Sequence, residues 1–229
     1  MQHDLLKRKG FIYLSSLRKR SRTSLIKMDK IIIFLIISDV LILSAFGLIN
    51  PIFAIFMKEG ISGGSVVAAG IASTIFFLVK SMIQLPLSIY IDKRRDKIGF
   101  LLLGTLIIVS VPILYAFSKN VNFVYFVQGL YGVGAAMAYP AWYSLFVMHL
   151  DRKHRGFEYS IWSTGVGIGT ALTAFLGAML VKNFGFKNVF FIVSGISFLG
   201  LVFLIFLSRK YLRDIEKVEH FLIPKSEKK

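Results

Sequence analysis

Six long apolar runs alternate with short polar segments along the chain, at residues 31–56, 66–90, 98–117, 122–147, 159–181 and 188–208. Each reaches the ~20 residues that a helix rising 1.5 Å per residue needs to cross a hydrocarbon core ~30 Å thick. Backbone amides and carbonyls inside lipid must be satisfied within their own segment, so each run predicts a helix. The ~10-residue alternating strands of a membrane β-barrel are absent from the pattern. The expected fold is an all-α integral membrane bundle of six transmembrane helices, with tails at 1–30 and 209–229. The first run starts after the basic tail and is too long for the apolar core of a cleavable signal, so no signal peptide is expected.

Composition agrees with the pattern. Of 229 residues, 55% are hydrophobic and 17% charged, and the mean hydropathy is +0.69. A soluble enzyme or a disordered chain carries more charge and fewer long apolar runs. Without cysteine there is no disulfide framework and no thiolate metal site. The formal net charge is +16, but the basic residues sit at the ends and in alternate connectors. Segments 1–30, 92–97, 151–155 and 209–229 hold nine, four, three and seven Lys/Arg. The opposite connectors hold Lys58, Lys119, Lys182 and Lys187. Basic loops stay on the cytoplasmic side, so both termini are expected there, in a plasma (inner) membrane protein. The basic tails read as topology and lipid-headgroup contact, with no nucleic-acid partner.

The first three spans mirror the last three in outline. Pro51 precedes Gly104 by 53 residues, and Pro140 precedes Gly195 by 55. Three spans followed by three of opposite orientation form a 3+3 inverted repeat. Within the spans, ionisable groups are functional suspects, because a charge at a helix centre costs ~2.5–3.5 kcal/mol on insertion scales. Asp39 and Lys80 lie ~12 and ~15 Å from the cytoplasmic ends of spans one and two. They pair across the two helices, or both face a water-filled cavity, where Asp39 would bind a proton or a cationic solute, or Lys80 snorkels toward the cytoplasm. Asn50, Gln84, Gln128, Tyr131, Tyr139, Trp142 and Tyr143 join them as candidate cavity residues. Apolar walls bearing a few aromatics and amides suit a small organic solute. Gly165, Gly167, Gly169 and Gly177 in span five allow close helix packing.

The connectors carry a resemblance. Asp92-Lys93-Arg94-Arg95-Asp96-Lys97 follows span two, and Asp151-Arg152-Lys153-His154-Arg155-Gly156 follows span four. Together with Gln128-Gly129, Pro140-Ala141 and the order of the spans, they resemble the major facilitator superfamily over 31–208. The stretch from Gly47 to Pro51 is similar to the first helix of its tetracycline and multidrug exporters, and Asn183 to Phe190 to its turn into helix six. Several positions depart from the pattern: Ser88 for Gly, Arg95-Asp96 for Gly-Arg, Tyr125 for a helix-four Arg tied to proton handling, and Ala174 for a span-five Pro. The resemblance implies solute transport by alternating access, with no cofactor, metal or covalent chemistry. It also implies a cytoplasmic gate, in which Asp92 pairs with Arg152 or Arg155, and Asp151 with Arg94 or Arg95. Family members hold two such halves, so a second six-helix half or a homodimer is the expected partner, beside lipid and a small-molecule substrate. The rival reading is a non-transporting scaffold or truncated remnant. His149 and His154 have no acid or Cys cluster around them of the kind a zinc site needs, and Ser194-Gly195 lacks the setting of an intramembrane protease.

A reporter fused to either terminus will therefore be shielded from membrane-impermeant reagents in intact cells and become reactive on lysis. Labelling of either end in intact cells would contradict the topology.

Overall fold

The computed structural model describes residues 28–94 and 96–222, with side chains through residue 209. Arg95, most of the N-terminal tail and the last seven residues lie outside the described residues. The architecture is all-α. Helix α1 (Lys30–Gly47) opens where the Asp29 carboxylate accepts the Ile31 N–H at 2.9 Å, a side-chain cap for an orphan amide. Helix α2 (Val66–Asp92) is capped by Ser65, whose hydroxyl accepts from the Ala68 amide at 3.0 Å. Helix α3 spans Ile98–Phe117. Helix α4 (Val121–His149) is capped by Asn120, accepting from the Phe123 amide at 2.9 Å. Helix α5 runs Arg155–Leu222 and is interrupted at Gly185. These five are long and apolar enough to cross a membrane.

Two boundaries differ from the hydropathy reading. The first apolar run is not one helix: α1 stops at Gly47, and residues 48–52 form turns around Asn50 and Pro51. Proline lacks an amide hydrogen and disfavours helical geometry in the residue before it, so the helix ends ahead of it. A short helical turn, Phe53–Ile55, then widens into a π-helical turn, Phe56–Gly60. At the other boundary, the expected polar connector at 182–187 is itself helical except at Gly185, whose φ is 76°. Only glycine takes that conformation without steric penalty. The chain thus changes direction in one residue, giving α5 a first arm (155–184) and a second arm (186–222).

Helix α1 packs chiefly on α5, α2 on α4, and α3 on both α4 and α5. Small residues set each crossing. A Cβ on Gly177 would lie 2.4 Å from the Leu48 carbonyl oxygen, and one on Gly169 would overlap the Ser44 hydroxyl. Gly165 meets Val40. These three glycines of the first arm all face α1 or the turn that follows it. On the second arm a Gly200 Cβ would come 2.7 Å from Ile42 of α1. A Cβ on Gly104 of α3 would come 2.6 Å from the Ala138 nitrogen of α4, and one on Gly132 of α4 would come 2.9 Å from the Phe76 carbonyl oxygen of α2. In lipid there is no hydrophobic force between helices, so such close backbone approach supplies the packing contacts that hold them together. At the end opposite the basic connectors, Phe56 and Phe190 meet edge to face at 4.8 Å, with Tyr115 and Phe53 beside them. Helix α2 is the least covered: Met82 and Leu85 are 72% and 74% exposed.

Gly177→Val and Gly104→Val will each destabilise the bundle by about 1–3 kcal/mol through overpacking. Gly167→Ala, whose Cβ meets open space, will leave stability unchanged or raise it by up to about 1 kcal/mol. Thermal unfolding in detergent measures both, and equal midpoints for all three variants would contradict the crossing assignments.

Candidate functional site

Toward the basic end of the bundle, α1, α2, α4 and the first arm of α5 enclose a cavity of about 480 Å³. Asp39 and Leu43 come from α1, Gln84 from α2, Tyr139, Pro140, Trp142 and Tyr143 from α4, and Trp162 from α5. The Trp162 indole Nε1–H donates to the Asp39 carboxylate at 2.7 Å. The Trp142 indole donates to the Leu35 carbonyl at 3.3 Å, one turn below Asp39 on α1. The two indole rings lie 5.1 Å apart, and Trp142 stacks on Phe146 at 4.7 Å. Hydrogen bonds thus fix both tryptophans, and with them the wall around Asp39. A hydrogen bond to a charged group is worth about 1.5–3 kcal/mol, which helps hold Asp39 at depth.

Lys80 does not pair with Asp39: among the described residues the ion pairs are Lys97–Asp92 and His154–Asp151. The Lys80 ammonium instead lies 4.3 Å from the Tyr139 ring centroid and 5.9 Å from that of Phe76. Trp162 takes up the carboxylate while the π faces of α4 and α2 take up the ammonium, so the two charges stay apart. Cation–π attraction of this kind strengthens as water is removed.

The remaining sequence candidates do not share this cavity. Asn50, Gln128 and Tyr131 border a second one of about 220 Å³, near the turn after α1. Tyr131 stacks between Phe46 at 5.3 Å and Phe76 at 4.4 Å. Tyr131 also lines, with Asp39, Tyr139 and Trp142, a smaller pocket between α1, α3 and α4. Gln128 is buried, whereas Tyr143 is 61% exposed at the mouth of the larger cavity.

Among the described residues the expected cross-connector gate pairs are not formed, and the Asp151–Arg95 pair lies outside the described residues. The Asp92 carboxylate meets Lys97 at 3.5 Å and accepts from the Ser144 hydroxyl at 3.4 Å, while Lys97 donates to Ser144 at 2.7 Å. The α2–α3 connector is therefore tied to α4. Arg94 lies on the Tyr90 ring and bonds its hydroxyl. Asp151 accepts the Lys153 amide at 2.9 Å and meets His154 at 2.8 Å. Those two contacts hold its carboxyl below the usual carboxylate range, the Lys153 amide foremost. Arg152 and Arg155 are exposed and make no ion pair among the described residues. Near neighbours satisfy Asp151, and Asp92 adds the Ser144 hydroxyl of α4 to its Lys97 contact.

Four residues that make these contacts escape the sequence reading: Trp162, Lys97, Ser144 and Glu158. Glu158 is 1% exposed and accepts the Asp151 N–H at 3.0 Å, which fixes the α4–α5 connector onto α5. An acid in the first turn of a helix is the signal that marked it.

Comparison with known proteins supplies the family. The profile of the Major Facilitator Superfamily matches residues 35–228. The chain is 30% identical over 109 residues to the voltage-gated purine nucleotide uniporter SLC17A9 of Rattus norvegicus, covering 47% of this chain and 24% of that protein. It is 26% identical over 179 residues to the multidrug resistance protein MdtG of Klebsiella pneumoniae (strain 342), covering 77% of this chain and 43% of that protein. The solved structure of the POT family transporter PepTSo superposes with a TM-score of 0.67 at 20% identity, over 80% of this chain and 38% of that one. The last likeness concerns the fold alone. The chain spans less than half the length of these curated relatives.

Removing the buried Glu158 carboxyl takes away the charged acceptor of the Asp151 amide, so Glu158→Ala will cost about 1–3 kcal/mol. Glu158→Gln keeps an acceptor oxygen and will recover most of that. Thermal unfolding of the two variants measures this, and equal losses would remove the hydrogen bond from the explanation.

Proposed function

This chain belongs to the Major Facilitator Superfamily, and from that membership we propose that it forms one six-span bundle of an alternating-access carrier for a small organic solute. The observation that carries the reading is the cavity around Asp39: deep in the bundle, about 480 Å³, aromatic-walled and furnished with a carboxylate and an amide. Cavities of ~300–1,000 Å³ with few polar groups in apolar walls suit single small organic molecules.

In this reading Gly185 divides α5 into the fifth and sixth crossings, completing the 3+3 inverted repeat. The basic connectors face the cytoplasm. Alternating access needs a second bundle rocking against the first around a midplane site. The least covered helix, α2, and the exposed Tyr143 lie on the side where that second bundle, a companion half or a second copy, would close the cavity. The Asp92–Lys97–Ser144 tie is the part of the gate this chain contributes. Asp92 is largely exposed, so its ion pair is worth only ~0–1 kcal/mol, weak enough to break in each cycle. The MdtG relative is named for multidrug resistance, which favours export as the direction. Asp39 supplies the negative charge that the solute or a proton meets.

Asp39→Asn keeps the shape of the site and an acceptor for Trp162 but removes the charge. In vesicles, with protein level matched, it will cut solute transport at least tenfold or abolish its pH dependence. Unchanged uptake with an unchanged pH response would remove Asp39 from the mechanism.

A further inference from the structure

The second cavity, of about 220 Å³, lies beside the turn that follows α1, at the end of the bundle away from the basic connectors. Its walls are largely aromatic, with Phe46, Phe53 and Phe76 among them. Among the described residues no Asp, Glu, Lys, Arg or His borders it. Gln128 does border it, and is 6% exposed. The Gln128 carboxamide makes no hydrogen bond among the described residues. Buried polar groups in native proteins are given partners, because an unmet donor or acceptor bears the full cost of losing water. The cavity is where a partner for Gln128 has room to sit. Asn50 brings a second carboxamide to the same space, and the Ser73 hydroxyl, which donates to the Ala69 carbonyl at 3.1 Å, keeps lone pairs with which to accept.

This cavity and the one around Asp39 share no lining residue. Phe46 and Tyr131, stacked at 5.3 Å, border both this cavity and the small pocket that reaches Asp39. That pocket holds about 20 Å³, room for a single water, so an organic solute does not pass through it.

We propose that the cavity at Gln128 is a second binding site, separate from that around Asp39, and that it takes an uncharged aromatic carboxamide. A charged solute would lose its water there and meet no counter-charge. A purely apolar one would leave the Gln128 amide bare. A carboxamide carries both donors and an acceptor in one plane, the complement of the Gln128 side chain, so the two can exchange a pair of hydrogen bonds. An aromatic body matches the walls. The volume equals that of about seven waters at ~30 Å³ each, enough for one ring and its amide. A site built to hydrogen-bond a polar group rejects the analogue that lacks it, because its own buried group is then left unpaired.

The test uses the full chain in lipid nanodiscs and equilibrium binding of tritiated benzamide, with toluene, benzoate and benzylamine as competitors. Benzamide is expected to bind at least tenfold more tightly than any of the three. Gln128→Met keeps the length of the side chain and removes an amide that has no partner in the protein. It will weaken benzamide binding at least tenfold and leave the thermal unfolding midpoint unchanged or raised. The chain has no cysteine, so a hydrophilic maleimide locates the ligand. Benzamide will slow labelling of Ser73→Cys and will not slow labelling of Gln84→Cys in the larger cavity. Full benzamide affinity in Gln128→Met, or protection of Gln84→Cys in place of Ser73→Cys, would overturn the assignment. Benzoate or benzylamine binding as tightly as benzamide would overturn the uncharged class. No benzamide binding, or no labelling of Ser73→Cys, would leave the cavity to water alone and end the inference. The Asp39→Asn transport assay reads the other cavity and stands or falls separately.

Discussion

Helices in hydrocarbon gain nothing by hiding apolar side chains from one another, so the places where their backbones can touch decide the arrangement. In this bundle those places are glycines. Gly169 and Gly177 seat the first arm of α5 on α1 and the turn after it, Gly200 seats the second arm, Gly104 joins α3 to α4, and Gly132 joins α4 to α2. Each contact leaves less room than a Cβ requires. The rotation of every helix about its axis follows, and with it the direction of each polar side chain.

The functional site is a consequence of those rotations. With α1 locked on α5, Asp39 meets the Trp162 indole. With α2 locked on α4 at Gly132, Lys80 comes over Tyr139. The same α4 face supplies Trp142, which reaches back to the Leu35 carbonyl. The two opposite charges are thereby held on different partners and kept from pairing with each other. At the basic end the logic is different. Asp92, Asp151 and Glu158 are satisfied by near neighbours, which stiffens each connector without fastening one to the other.

Much of the fold is legible in the sequence. The runs at 66–90, 98–117 and 122–147 anticipate α2, α3 and α4 to within two residues, because long apolar stretches between capping residues leave little freedom. Hydropathy fails where a single residue overrides it. Pro51 ends α1 early within an otherwise apolar run, and the left-handed conformation of Gly185 does the work expected of a six-residue connector. The site is half legible. Asp39, Gln84, Tyr139, Trp142 and Tyr143 share a cavity, whereas Asn50, Gln128 and Tyr131 border another. Depth along a helix is readable from residue numbers, but rotation is not, so neither Trp162 as the partner of Asp39 nor the separation of Lys80 from it was foreseeable. Lys97 and Ser144 were hidden for another reason: a basic residue in a basic connector carries no mark that it reaches a neighbouring helix.

The central claim is that α2 and α4 turn one face to a hydrated cavity within the membrane. The chain has no cysteine, so single cysteines can be placed without background. Gln84 and Leu106 each lie eight residues, ~12 Å, from the basic end of their helices; Gln84 borders the cavity and Leu106 is exposed on α3. In membranes opened to a hydrophilic maleimide, Gln84→Cys is predicted to label readily and Leu106→Cys to stay unlabelled, since thiolate forms only where water reaches. Equal labelling of the two positions, or labelling of Leu106→Cys alone, would contradict the account.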